Sequence, residues 1–170
     1  IVDSDDTKEL DFTASWSSGG FTVSVTDYWF SGIEGCDRYF LYDAHRTAHV
    51  FEANVGYDFG KCSVNWYTNF AGSDYRPDGK RAYSSYIEVA APFKLGGLQW
   101  HAAVGAVPFK SSSTYCDAAG NPVDGFAVTN VTLGVNHDIK ITEHFSLPVF
   151  ASVTANPNSQ KMYLTFGLSL

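Results

Sequence analysis

The chain has no long apolar run, few charges and almost no cationic clustering, and each shortage excludes something. No stretch approaches the roughly 20 apolar residues a membrane-crossing helix needs, so hydropathy alone reads the chain as soluble. That reading is unsafe, because a transmembrane barrel spaces its apolar residues at every second position. Charged residues make up only 17% of the 170 residues, below the roughly 25% usual for soluble globular chains. A net charge of −7 argues against a nucleic-acid partner, which would need clustered Lys and Arg. The three cysteines, Cys36, Cys62 and Cys116, cannot all pair with one another. Cys36 and Cys116 fall in long loops, so either one bridge in an oxidising compartment or three unpaired thiols fits the sequence. The first residue is Ile1, with no initiator Met or signal peptide, which reads as a processed or trimmed product.

What is present is alternation of period two, the mark of a strand. Leu10, Phe12, Ala14 and Trp16 alternate with Glu9, Asp11, Thr13 and Ser15. The same pattern recurs in FTVSVTDYWF, TAHVFEANVGYDF, CSVNWYTN, AYSSYIEVAAPF, LQWHAAVGAVPF, FAVTNVTLGVNHDI, SLPVFASVTAN and KMYLTFGLSL. About nine strands result, with no helix. Pro108 and Pro148 are the weak points, since proline removes a ladder donor. Tight links (SSGG, GK, KLGG, ITEH) alternate with long ones near residues 31–46, 71–81 and 110–125. Short turns on one rim and long loops on the other are the habit of outer-membrane barrels.

Two barrels fit the alternation. In a soluble lipocalin-like barrel the apolar set points inward around an apolar ligand. In a transmembrane barrel the apolar set meets lipid and the polar set lines the lumen. The polar set is rich in Ser, Thr, Asn, Gly and Tyr and poor in Lys and Glu, whereas a water-facing surface carries about 25–35% charged residues. The transmembrane reading is therefore preferred. It makes Asp11, Glu52, Asn54, Asn65, Glu88, His101 and Asn130 candidate lumen-lining residues, with the carboxylates a potential constriction favouring cations. It makes Trp16, Trp29, Trp66, Tyr83, Phe93 and Trp100 candidates for the interfacial aromatic girdles.

Catalytic chemistry is sparse. His45 and His49 have a spacing that binds metal on a helix, but here they flank a loop-to-strand junction. His45 with a serine of Ser111–Ser113 is the one nucleophile pairing that could be drawn at a rim, and no nucleophile elbow exists. No catalytic residue, metal site or cofactor is assigned, and outer-membrane lipid, with other outer-membrane proteins, is the expected partner.

DDTKELDFTASWSSGGFTVSVTDYWF, YIEVAAPF and TNVTLGVNHDI…FSLPVFASVTANP resemble a family of small outer-membrane porins from Bacteroides-type bacteria. The likeness runs along the whole chain as pattern. It implies export by a signal peptide, an antiparallel up-and-down barrel and no established catalytic residue. Members of that family usually carry further strands before a segment like DSDDTKELDF. With both termini on one rim an even strand number is needed, so a parent of about twelve strands is expected, or else a complete barrel of eight or ten.

Overall fold

A computed structural model describes residues 8–31 and 38–168. It is all-β: β1 (Glu9–Ser18), β2 (Phe21–Phe30), β3 (His49–Asp58), β4 (Ser63–Gly72), β5 (Ser85–Leu95), β6 (Leu98–Val107), β7 (Ala127–Lys140), β8 (Ser146–Asn156) and β9 (Lys161–Leu168). Every strand pairs antiparallel with its neighbours in chain order, giving one nine-stranded meander. The expected strands are thus present. Among the described residues these strands do not close on themselves: β1 and β9 are the two edges of an open sheet, so the expected barrel is not seen and the alternative of a complete barrel of eight or ten strands is not met. Residues 169–170, the end of the alternating terminal stretch, lie outside the described residues.

The links follow the sequence pattern. Gly19–Gly20 (φ 58° and 84°) and Gly96–Gly97 (φ 60° and 78°) close the β1–β2 and β5–β6 hairpins. Positive φ at both central residues suits the right-handed twist of the strands and is open to glycine at no steric cost. Residues 59–62 and 141–145 make the other short links, and residues 31–48, 73–84, 108–126 and 157–160 join strands at the opposite rim. One register was misjudged from sequence. The run beginning AYSSY enters the ladder only at Ser85, and Tyr83 sits before it in the left-handed region at φ 50°. The cause lies in the preceding loop, where Asp74 captures both the backbone N–H and the hydroxyl of Ser84.

Which face is inside is decided by burial. No helix or second sheet covers either face among the described residues, and away from the loops a difference in exposure between faces reports curvature. Asn54 is 8% exposed while its neighbour Val55 is 47% exposed. Thr26 and Asn69 are likewise buried, while Val25, Val89, Val104 and Leu133 are open. The sheet therefore curls around its polar face. Two register shifts, at Phe51/Glu52 and Gly105/Ala106, add bulges towards the long-loop rim, where bulges increase local twist and bend a strand.

Glycine makes the tight curl sterically feasible. A Cβ at Gly56 would overlap the Asn65 side chain, at Gly105 the Tyr86 ring, at Gly134 the His101 ring and at Gly167 the Phe150 ring. Each of these glycines is on the polar face, opposite or beside the large group that covers it. A glycine inside a strand marks such a close approach. Gly105→Ala is expected to cost about 1–3 kcal/mol by overpacking, and Tyr86→Ala made in addition should return part of that loss. Urea unfolding, followed by the double-mutant cycle, checks this; additive effects would refute the contact.

Candidate functional site

Residues opposite one another in an antiparallel ladder share a face, so the register assigns every side chain. Glu52 faces Thr26, Asn54 faces Tyr67, Asn65 faces Glu88, Glu88 faces Gly105 and Gly105 faces Asn130. Asp11 opposite Tyr28 and His101 opposite Gly134 continue the same surface. All seven candidate lining residues thus lie on the concave polar face.

They are tied into hydrogen-bonded rows. The Tyr86 hydroxyl donates to Glu88 Oε2 (2.7 Å), and Asn130 Nδ2 donates to both groups (3.0 Å each). Thr132 Oγ1 donates to Asn130 Oδ1 (2.8 Å), and the Tyr28 hydroxyl donates to Glu52 Oε1 (3.2 Å). Thr13 with Thr26, and Thr132 with Thr154, bridge neighbouring strands through their hydroxyls. Glu9, Asp11, Glu52 and Glu88 all occupy the half of their strands nearest the long loops, whereas Lys94, Lys140 and Lys161 on this face stand at strand ends. The long-loop half of the concave face is consequently acidic across β1 to β5.

The loops reach over that acidic zone. Thr114, from the β6–β7 loop, lines a cavity of about 210 Å³ with Glu9, Tyr28, Phe30, Val50, Glu52 and Asn69. Tyr115 lays its ring parallel to that of Tyr86, with centroids 6.1 Å apart. Burial, with the charge of Glu52 close by, pushes the Tyr115 phenol well above its ordinary range. Sequence reading missed both residues.

The loop is fastened from below. Asp74, 1% exposed, accepts hydrogen bonds from the Ser84 N–H (2.8 Å), the Ser84 hydroxyl (2.7 Å) and the Ser112 hydroxyl (2.6 Å). The Ser112 N–H in turn donates to Ser84 Oγ (2.8 Å). The Tyr115 carbonyl accepts from Ser111 Oγ (3.0 Å) and from the Val123 N–H (2.9 Å). Further ties hold the remaining loops: His45 stacks on Tyr75 at 4.3 Å, the Arg81 guanidinium of the same loop lies over the Tyr75 ring at 4.7 Å, and Asn158 Nδ2 donates to the Cys116 carbonyl.

The convex face is different. Across all nine strands its acidic, basic or imidazole side chains are Asp27, His49 and His137. Asp27 and His49 neutralise each other. His49 is fully buried, with Nδ1 2.7 Å from Asp27 Oδ1 and Nε2 2.6 Å from the Tyr39 carbonyl oxygen. A carbonyl only accepts, so Nε2 carries a proton and the pair shares a second one through Nδ1, whichever partner holds it. Tyr42 stacks on the imidazole at 4.5 Å and Tyr39 meets it edge-on.

The girdle candidates fall as follows. Trp16, Trp29, Trp66, Phe93 and Trp100 lie on the convex face, Phe93 stacking on Trp100 at 6.3 Å. Tyr83 is exposed but belongs to a loop. Trp16, Phe93 and Trp100 stand near the short-turn rim, and Trp29 near the long-loop rim. Cys36 lies outside the described residues, and Cys116 directs its thiol to the Ser113 carbonyl at 3.4 Å. The structure sends His45 and His49 to different partners, and no hydrogen bond joins His45 to Ser111, Ser112 or Ser113 among the described residues.

No family model, curated protein or solved structure matches the chain.

Two outcomes follow from this geometry. Removing His49 leaves the half-buried Asp27 carboxylate without its hydrogen-bond partner, at a cost of about 1–3 kcal/mol. His49→Ala should therefore release the β2–β3 loop, read as faster tryptic cleavage at Arg38 and Arg46, while Asp27→Leu with His49→Leu should be cleaved more slowly than either single variant. Tyr115 gives the second. Its raised pKa means that the stability linked to the protonated phenol is complete below the unfolded value of about 10 and is lost as pH rises through the folded value. A titration of phenolate absorbance on wild type and Tyr115→Phe should differ only above the range where exposed tyrosines ionise.

Proposed function

We propose that the nine strands form the wall of a transmembrane β-barrel in a bacterial outer membrane, acting as a porin or as a structural component of that membrane, without catalysis. One observation carries the reading: the apolar set is the convex, exposed set, and the polar set is the concave, buried one. A soluble ligand-carrying barrel needs the reverse. In water the convex face would be a large apolar patch of the kind soluble monomers avoid. Against lipid it is the expected surface, and the one carboxylate on its strands, Asp27, is paired with His49 towards the long-loop rim.

Strand length supports the same reading. A ten-residue strand such as β2 extends about 33 Å at 3.3 Å per residue, and at a tilt near 45° spans roughly the 25 Å apolar band of an outer-membrane barrel. The open edges fit as well. Unpaired ladder groups of β1 and β9 could not remain in hydrocarbon, where each costs several kcal/mol, so closure by further strands, to about twelve in all, completes the proposal.

Purification with and without detergent, followed by conductance in planar bilayers, tests the proposal. The protein should need detergent and give discrete, cation-preferring steps. Glu52→Gln and Glu88→Gln together should move the cation-to-anion permeability ratio towards unity with little change in stability. A monodisperse protein in plain buffer would place the apolar face inside and overturn the reading.

A further inference from the structure

Asn69 stands opposite Glu52 in the β3–β4 ladder and is only 5% exposed. Its backbone N–H donates to the Ser84 carbonyl, but its carboxamide makes no hydrogen bond among the described residues. A buried amide without a partner is destabilising, and native structures keep few of them. This one lines the cavity of about 210 Å³ on the concave face, so its unmet hydrogen bonds are turned towards a space that can receive something.

Glu52, in the same wall, is half satisfied. The Tyr28 hydroxyl donates to Oε1, and Oε2 has no donor among the described residues. Glu9 adds a second carboxylate, and no Lys, Arg or His among the described residues lines the cavity to neutralise the two. Thr114 contributes a hydroxyl that is held in place by Ser112 Oγ at 2.8 Å. The remaining wall is hydrocarbon, from Phe30 and Val50.

This lining selects among ligand classes. Two unneutralised carboxylates repel an anion. A neutral molecule leaves Glu52 Oε2 without the charged donor it suits. A bare metal ion is a poor fit, since no group of three or more metal-ligating side chains converges among the described residues. The space is also too large for one ion, holding roughly seven waters at about 30 Å³ each. A hydrated inorganic ion gains nothing from Phe30 and Val50. An ammonium group on a short hydrocarbon body meets every part of the wall, because its N–H groups bond carboxylate and amide oxygens and its carbons cover the apolar side chains.

We propose that this cavity is a binding site for a small organic ammonium ion. Glu52 Oε2 and the Asn69 carboxamide oxygen accept from its N–H groups, and Phe30 and Val50 pack on its hydrocarbon part. The assignment goes beyond the porin reading and does not need it, since it stands on the lining of the concave face alone.

Isothermal titration calorimetry on the folded full chain, in whichever medium keeps it monodisperse, tests the site. The probe is n-butylammonium, with potassium, n-butanol and butyrate as controls. Butylammonium should bind one to one, potassium and n-butanol at least about tenfold more weakly, and butyrate not at all. Glu52→Gln should weaken butylammonium about tenfold. Asn69→Leu should weaken it several-fold while raising the urea midpoint, because the unpartnered amide is gone; a purely structural Asn69 would instead lower the midpoint and leave the affinity as it was. Three results would overturn the inference: no binding to folded wild type, equal displacement of butylammonium by potassium, which marks a diffuse counterion cloud, or wild-type affinity in both variants. None of the three bears on detergent dependence or conductance, so the porin reading stands or falls separately.

Discussion

A strand has two faces, and this molecule depends on the small, polar one being turned inward. Ordinary domains bury their large apolar groups because water expels them. Here Leu164 and Phe166 are among the most exposed side chains, while Asn54, Asn69 and Thr26 are among the most hidden. The inward groups are small enough to share a tight curve, and each bonds its neighbour across the ladder. Reversing the curl would crowd Trp, Phe and Leu on the concave side and stretch the Thr–Thr and Tyr–Glu bonds apart. Glycine enforces the direction, since Gly56, Gly105, Gly134 and Gly167 all leave room on the same side for a larger partner.

Two carboxylates, one half-buried and one buried, show two ways of meeting the cost of desolvation. Asp27, on the convex face, takes a nearby imidazole, so the dyad carries no net charge towards an apolar surrounding. Asp74, among the loops, takes hydroxyls and a backbone N–H, and no cationic side chain lies within ion-pair distance of it among the described residues. The difference matches the setting of each. An ion pair cancels its own field, which an apolar medium cannot screen. A carboxylate held by hydroxyls and an N–H has its lone pairs occupied by donors from two loops, and so ties those loops together.

Much of this was legible in the sequence. Period two located the strands, and the uneven loop lengths separated the two rims. The paucity of Lys and Glu on the polar set pointed to its being inside, which the burial of Asn54 against Val55 bears out. What was hidden depends on contacts distant along the chain. Ser112 meets Asp74 across 38 positions, and Asn130 meets Tyr86 across 44; no local pattern encodes either. Tyr83 looked like a strand residue because its neighbours alternate correctly, and only the capture of Ser84 by Asp74 withdraws it. His45 and His49 resembled a pair because their spacing is familiar, yet one ring stacks on Tyr75 and the other bonds Asp27.

The ties between loops give them a collective character that no single loop has. The β2–β3 loop meets the β4–β5 loop through His45 and Tyr75, the β4–β5 loop meets the β6–β7 loop through Asp74, Ser84 and Ser112, and the β6–β7 loop meets the β8–β9 link through Cys116 and Asn158. Loops are ordinarily the least stable parts of a fold. Linked in series and anchored at one end by the Asp27–His49 pair, they restrain one another, because displacing any one breaks a contact in the next. The long-loop end of the concave face therefore carries one mutually restrained roof rather than a set of independently moving loops.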